Sequence, residues 1–184
     1  MCRWQILTKL KEYRGIDVFE EARRVEIVKF IEANEHCFER TCVHGHITGS
    51  AWLLDRQKQR VLLTYHGKLG KWLQLGGHAD GNSDVFGVAL QEAREESGIM
   101  NIKPLSDEIF DVDVHLIPQH MHEPAHYHYD LRFLLQTEET DSFVISEESK
   151  ELGWFLVSEV LTLPLEDSLQ RMARKTLQRI TDRS

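Results

Sequence analysis

Apolar positions recur along the chain with two periods, and each change of period marks a boundary between elements. Between Arg3 and Tyr13, the residues Trp4, Leu7 and Leu10 fall on one side of a short helix, which Gly15 interrupts. Asp17 then opens a second helix. Asp17 with Glu20 makes a capping-box-like pair, and Phe19, Ala22, Ile27, Phe30 and Ile31 give a buried side, as far as Asn34 or His36. Strand periodicity follows at Ile47 to Leu54 and at Arg60 to His66, where Val61, Leu63 and Tyr65 alternate with their neighbours. Asp55 to Gln59 is a polar turn between them. Trp72, Leu73 and Leu75 form a short apolar strand leading into Gly76 and Gly77.

Helical spacing returns after the glycines. Val85, Val88, Ala89 and Ala93 make one apolar stripe, with Ser83 or Asp84 as N-cap and Gly98 where a C′ glycine closes a helix. Alternation resumes from Glu108 to Ile117 and from His126 to Gln136. In the second of these, Tyr127, Tyr129, Leu131, Phe133 and Leu135 share one face, and His126, His128, Asp130 and Arg132 share the other. That polar face is expected to meet water, with a substrate cleft as the competing reading. A last strand, Gly153 to Val157, precedes a short helix capped by Ser158. A final amphipathic helix runs from Leu165 to Ile180, burying Leu169, Met172, Ala173, Leu177 and Ile180. There is no internal repeat.

The helix after the glycines carries Glu92, Glu95 and Glu96, and residues three and four apart share a side. Three like charges repel, and two of them sit in the last turn, where the helix dipole disfavours anions. The arrangement gains stability when a cation lies among the acids. Magnesium, with its preference for oxygen ligands and substrate phosphates, suits them; the plainer reading is a solvated acidic face.

The stretch from Gly77 to Ile99 resembles the signature box of the Nudix hydrolases. That box runs glycine, five residues, glutamate, seven residues, then arginine, glutamate, an aliphatic, any residue, two glutamates, any residue, glycine and an aliphatic. Gly77, Glu92, Ala93, Glu95, Glu96, Gly98 and Ile99 match it. Ser83 stands at the first glutamate and Gln91 at the arginine, so the core acids are kept while their support is altered. The flanking TGSAWLLD and RVLLTYHGKLGKWLQLGGHADG are similar to a bacterial Nudix subgroup, and the resemblance spans about His46 to Trp154.

The resemblance implies an α/β fold, the Nudix-type α/β/α sandwich with a mixed sheet, at residues 41–184. A helical extension at 1–40 would pack on this core, the alternative being a homodimer contact. It implies a pyrophosphohydrolase cleaving the diphosphate of a nucleoside diphosphate linked to another moiety, with a nucleotide sugar such as ADP-ribose favoured. Gly77, Glu92, Glu95 and Glu96 would hold Mg2+, or Mn2+. Glu92, Glu95, Glu96 and a loop acid, Glu148 or Glu123, are the catalytic candidates. Lys68, Lys71, His126 and His128 are candidates to bind substrate. Trp52, Tyr127 and Tyr129 are expected in the core before any base-stacking role. The competing class is a Nudix-like domain that binds a nucleotide metabolite without hydrolysing it.

Composition narrows the partners. The 184-residue chain has a net charge of −8 and a hydrophobic fraction of 41%. That balance disfavours a binder of nucleic-acid duplex, which needs basic patches. No apolar run reaches membrane-spanning length and the N-terminus lacks a signal-peptide core, so no membrane association and a cytoplasmic location are expected. Cys2, Cys37 and Cys42 show no zinc spacing and read as thiols of a reducing compartment. His44 and His46 share a face but have no third partner nearby in the sequence, so they are expected at the surface or in ordinary hydrogen bonds.

Overall fold

The computed structural model describes residues 2–67, 69–119, 124–144 and 151–181. The described residues form five helices and eight strands in a mixed α/β order. Lys68, Glu123 and Glu148 lie outside the described residues. The chain divides into two compact units, each assembled from three segments. The first comprises Met1–Ser50, Gly76–Ala89 and Asp107–Phe133, and the second Ala51–Leu75, Leu90–Ser106 and Leu134–Ser184.

The first unit opens with α1 (Arg3–Glu12) and α2 (Val18–Ala33). Asp17 caps α2 by accepting from the backbone N–H groups of Phe19 at 3.0 Å and Glu20 at 2.8 Å. The carboxylate of Glu20 gathers donors from several places. It is buried, accepts from Ile16 N at 2.8 Å and from Tyr13 Oη, and takes the Val112 N–H at 3.3 Å. Ile6, Leu7 and Leu10 are the buried residues of α1, whereas Trp4 is 70% exposed. In α2, Ile27, Phe30 and Ile31 are buried, and Phe19 is 76% exposed. Both misplaced aromatics lie in the first turn of their helices, where neighbouring chain does not cover the predicted face.

The sheet part of this unit is formed by β1 (Gly45–Leu54), β4 (Leu75–His78), β6 (Asp111–Ile117) and β7 (His126–Thr137). β1 pairs with β4 and β7, and β6 pairs with β7 antiparallel, Val112 opposite Leu131. Phe30 stacks on Tyr129 with ring centroids 3.8 Å apart. Gly49 lets β1 approach the start of α3 (Val85–Ser97), since a Cβ there would meet Val85 O at 2.7 Å.

The polar face of β7 does not meet water. Asp130 and Arg132 are buried. Arg132 donates from Nε to Asp130 at 2.8 Å, and from its two terminal nitrogens to Asp111 and Asp113 at 3.2 Å each. Thr48 and Ser50 donate to the other oxygen of Asp130 at 2.9 and 2.7 Å. Burial alone would lower the pKa of Arg132, but Asp113, Asp130 and Asp111 outweigh it and hold the guanidinium charged. A strand that alternates apolar and polar residues is thus buried on both faces, because the polar side carries its own counter-charges.

In the second unit, β2 (Arg60–His66) pairs antiparallel with the end of β1, with β3 (Lys71–Leu73) and with β8 (Leu152–Leu156). The bounds of β2 agree residue for residue with the alternation in the sequence. Asp55 is buried and ties the turn before it, accepting from Gln59 N at 2.7 Å and from Arg60 Nε at 2.8 Å. β5 (Ile102–Pro104), too short to announce itself by periodicity, pairs with the end of β7. α4 (Val157–Val160) starts directly off β8, with Leu156 and not Ser158 at its N-cap. α5 (Asp167–Thr181) buries Leu169, Met172 and Ala173, and Trp52 donates to Thr176 Oγ1 at 2.9 Å. Ile180, expected inside, is 37% exposed. No described helix is long and apolar enough to cross a membrane.

Candidate functional site

The expected acids fall on one side of the last turns of α3. Glu92 and Glu96 are half-buried and Glu95 is exposed. Gln91 Nε2 donates to Glu95 Oε1 at 2.7 Å, so the residue at the box arginine position still steadies a neighbouring carboxylate. Val85, Val88, Ala89 and Ala93, the apolar stripe, are all buried and fix which side the acids take. Gly98 closes the helix at φ +70°, its N–H bonded to Arg94 O at 2.8 Å. Arg94 Nε donates to Met100 O at 3.1 Å. Carboxylate oxygens are donors that magnesium or manganese accepts.

The other expected site residues are spread over both units. Gly77 lies half-buried on β4 in the first unit, beside Gly76, where a Cβ would meet Ser50 Cα at 2.8 Å. Lys71, in the second unit, is exposed on β3 and paired with Glu166 at 2.5 Å, a partner it would have to release to hold a phosphate. Trp52 and Tyr129 are buried, as expected of core aromatics, while Tyr127 is exposed.

His126 and His128 have company that sequence spacing did not reveal. Their two-residue separation puts both on one face of β7. β1 runs beside β7 and carries His46; β4 runs beside β1 and ends at His78. One ligand nitrogen from each of His46, His78, His126 and His128 lies within 4.8 Å of those of the other three. His128 Nε2 is 3.2 Å from His78 Nε2 and 3.3 Å from His126 Nε2. The ring of His46 sits 4.9 Å from those of His78 and His126 and 5.0 Å from that of His128. His46 is thus not a surface residue, and its third and fourth partners come from other strands. His44, exposed just before β1, stands outside the group. His115 on β6 touches His128 edge-on at 5.4 Å without joining the four.

Burial pushes His46 down to about 4, helped by His78, His126 and Arg40 and opposed by Asp80. Burial, then His115, His78, His46 and His126, takes His128 to about 2. Both rings are therefore neutral at neutral pH, and each offers a lone pair.

No protein-family model matches the sequence, and no curated protein matches it. Solved structures do match its fold. An Ap4A hydrolase from C. elegans, in a binary complex, is 14% identical, covers 74% of this chain and 98% of its own, and has a TM-score of 0.58. A Nudix-family hydrolase from Clostridium perfringens is 22% identical over 73% of this chain and 97% of its own, with a TM-score of 0.53. The E. coli dihydroneopterin triphosphate pyrophosphohydrolase is 13% identical over 72% and 95%, with a TM-score of 0.51. The chain has the Nudix hydrolase fold.

The histidine group had only a partial signal in the sequence. His126 and His128 were visible as a strand pair, but His78, directly after the Gly76–Gly77 pair, was hidden by the glycines, and His46 was paired with the wrong neighbour.

Proposed function

We propose that the protein is a magnesium-dependent Nudix pyrophosphohydrolase. Its substrate would be a nucleoside diphosphate linked to another group, with nucleotide sugars such as ADP-ribose favoured. The observation that carries this reading is a glycine-closed helix that bears Glu92, Glu95 and Glu96 at spacings of three and four residues, in a chain with the Nudix fold. Two structural neighbours are named for phosphoanhydride substrates, Ap4A and dihydroneopterin triphosphate, which supports the diphosphate as the reacting group.

A diphosphate resists attack because its own negative charge repels the nucleophile. Glu92, Glu95 and Glu96 would hold Mg2+ or Mn2+. The bound ion would supply charge neutralisation and a water of lowered pKa. One carboxylate, from this set or from Glu148, takes the proton of the attacking water. Gln91 holds Glu95 in place through its amide. Lys71, once released from Glu166, and Lys68 would neutralise substrate phosphate oxygens. The products are a nucleoside monophosphate and a phosphorylated partner. Residues 1–40 are proposed as a helical extension of a domain at 41–184, and the location as cytoplasmic.

The test is a panel of nucleotide sugars incubated with protein and magnesium, then with phosphatase. Only cleaved diphosphates become monoesters that release phosphate. Magnesium-dependent release is expected, falling at least about 100-fold in Glu96→Gln with the fold intact by circular dichroism. Nucleotide binding that ignores magnesium and yields no turnover would favour a non-hydrolytic binding domain.

A further inference from the structure

We propose that His46, His78, His126 and His128 form a four-histidine site for a divalent transition-metal ion, zinc first, with a donor set unlike that of the acids on α3. The proposal does not depend on hydrolysis, because it concerns a second kind of ligand chemistry.

The distances carry the argument. A tetrahedral ion with zinc–nitrogen bonds of about 2.0–2.1 Å holds its ligand atoms about 3.3–3.4 Å apart. His128 Nε2 is already 3.2 Å from His78 Nε2 and 3.3 Å from His126 Nε2. The remaining separations, up to 4.8 Å, close by rotation of the side chains. A square-planar ion of similar bond length would bring adjacent ligand atoms closer than either observed pair. Imidazole nitrogens select zinc and its transition-metal neighbours over magnesium and calcium, which take oxygen.

Hydrogen bonding within the group does not account for it. His126 Nδ1 lies 2.9 Å from Pro124 O, a carbonyl that can only accept. That nitrogen carries the proton, and the neutral ring keeps its lone pair on Nε2, aimed at the others. A carbonyl behind a histidine is the usual device for orienting a metal ligand. His128 Nε2 has one proton or one lone pair to share between two neighbours at equal range. His46, 3% exposed, has both ring nitrogens buried with no hydrogen-bond partner among the described residues. Leaving a buried polar side chain so is costly, and an ion bound to one nitrogen removes part of that cost.

Four protein ligands fill a tetrahedral ion, so the site is structural. It would tie β4, β1 and β7 together within the first unit and anchor His78, the residue after Gly77 of the box.

The test uses the whole chain, purified without a metal-affinity step. Elemental analysis is expected to find one zinc per chain. Chelation should lower the Tm, and zinc but not magnesium should restore it. Cobalt(II) added to the metal-free chain should give the intense visible bands of four-coordinate cobalt. His126→Ala/His128→Ala should lose both zinc and bands, while His44→Ala should keep them. A metal-free chain that gains no stoichiometric ion from zinc and shows only the pale spectrum of six-coordinate cobalt overturns the proposal. So does a double variant that binds zinc as the parent does. If the double variant fails to fold, the cobalt titration of the parent chain still decides. None of these readouts involves turnover, so a failure of hydrolysis leaves them intact.

Discussion

Gln91 donates through Nε2 to Glu95 Oε1 at 2.7 Å, one turn along α3. An amide at this place does part of what a box arginine would do, since it holds a carboxylate without neutralising it. If Glu95 holds the ion of the proposed hydrolysis, Gln91→Leu, which removes the donor, is expected to lower its kcat/KM by about 10-fold, the usual effect of losing a group that orients a metal ligand. Gln91→Arg should retain activity. Steady-state kinetics at saturating magnesium compare the two, and equal activity in the parent and Gln91→Leu would show that Glu95 needs no such support.

Arg132 is 2% exposed and serves three carboxylates at once. Arg132→Met keeps the length of the side chain but takes the shared cation away from Asp111, Asp113 and Asp130. Removing one partner of a buried ionic group costs about 3–5 kcal/mol. Urea unfolding is expected to show a loss of that size. Adding Asp130→Asn should recover part of it, which a double-mutant cycle measures.

Asp17 holds the first turn of α2 through two backbone N–H groups. Asp17→Ala should cost about 1 kcal/mol, and Asp17→Ser a few tenths at most, because a hydroxyl caps nearly as well. Thermal melts of the two variants check the ranking. Glu20→Gln should cost more than Asp17→Ser, since its carboxylate is buried among three donors.

Cys37 is buried, and burial pushes its thiol up to about 11. The reactive species is the thiolate, so at pH 8 on the order of one molecule in a thousand carries it. Cys2 is exposed. Iodoacetamide at pH 8 should therefore modify Cys2 and spare Cys37 in the folded chain. Cys37 labelling should rise as the pH climbs towards 11, or when urea is added. Mass spectrometry of the labelled chain separates the two sites.

Local pattern was enough for much of the fold. The alternation of Val61, Leu63 and Tyr65 delimits β2, and the stripe from Val85 to Ala93 with Gly98 places α3 and its carboxylates. These elements were legible because period and capping act over a few residues. Trp4 and Phe19 were misread for the converse reason. Each fits the apolar side of its helix, but whether that side is covered depends on chain elsewhere.

The sequence by itself determined the order of the helices and the longer strands, the side of α3 on which Glu92, Glu95 and Glu96 stand, and the pairing of His126 with His128 on one strand face. Backbone geometry makes each of these a matter of counting residues. Tertiary structure alone decided that β1 lies between β4 and β7, and so that His46 and His78 join the pair on β7. It also decided that Asp130 and Arg132 are buried, because Asp111 and Asp113 arrive on β6 to match the charge. Strand neighbours are chosen by the burial of the whole sheet, and residues 50 positions apart, such as His78 and His128, meet only when that choice has been made.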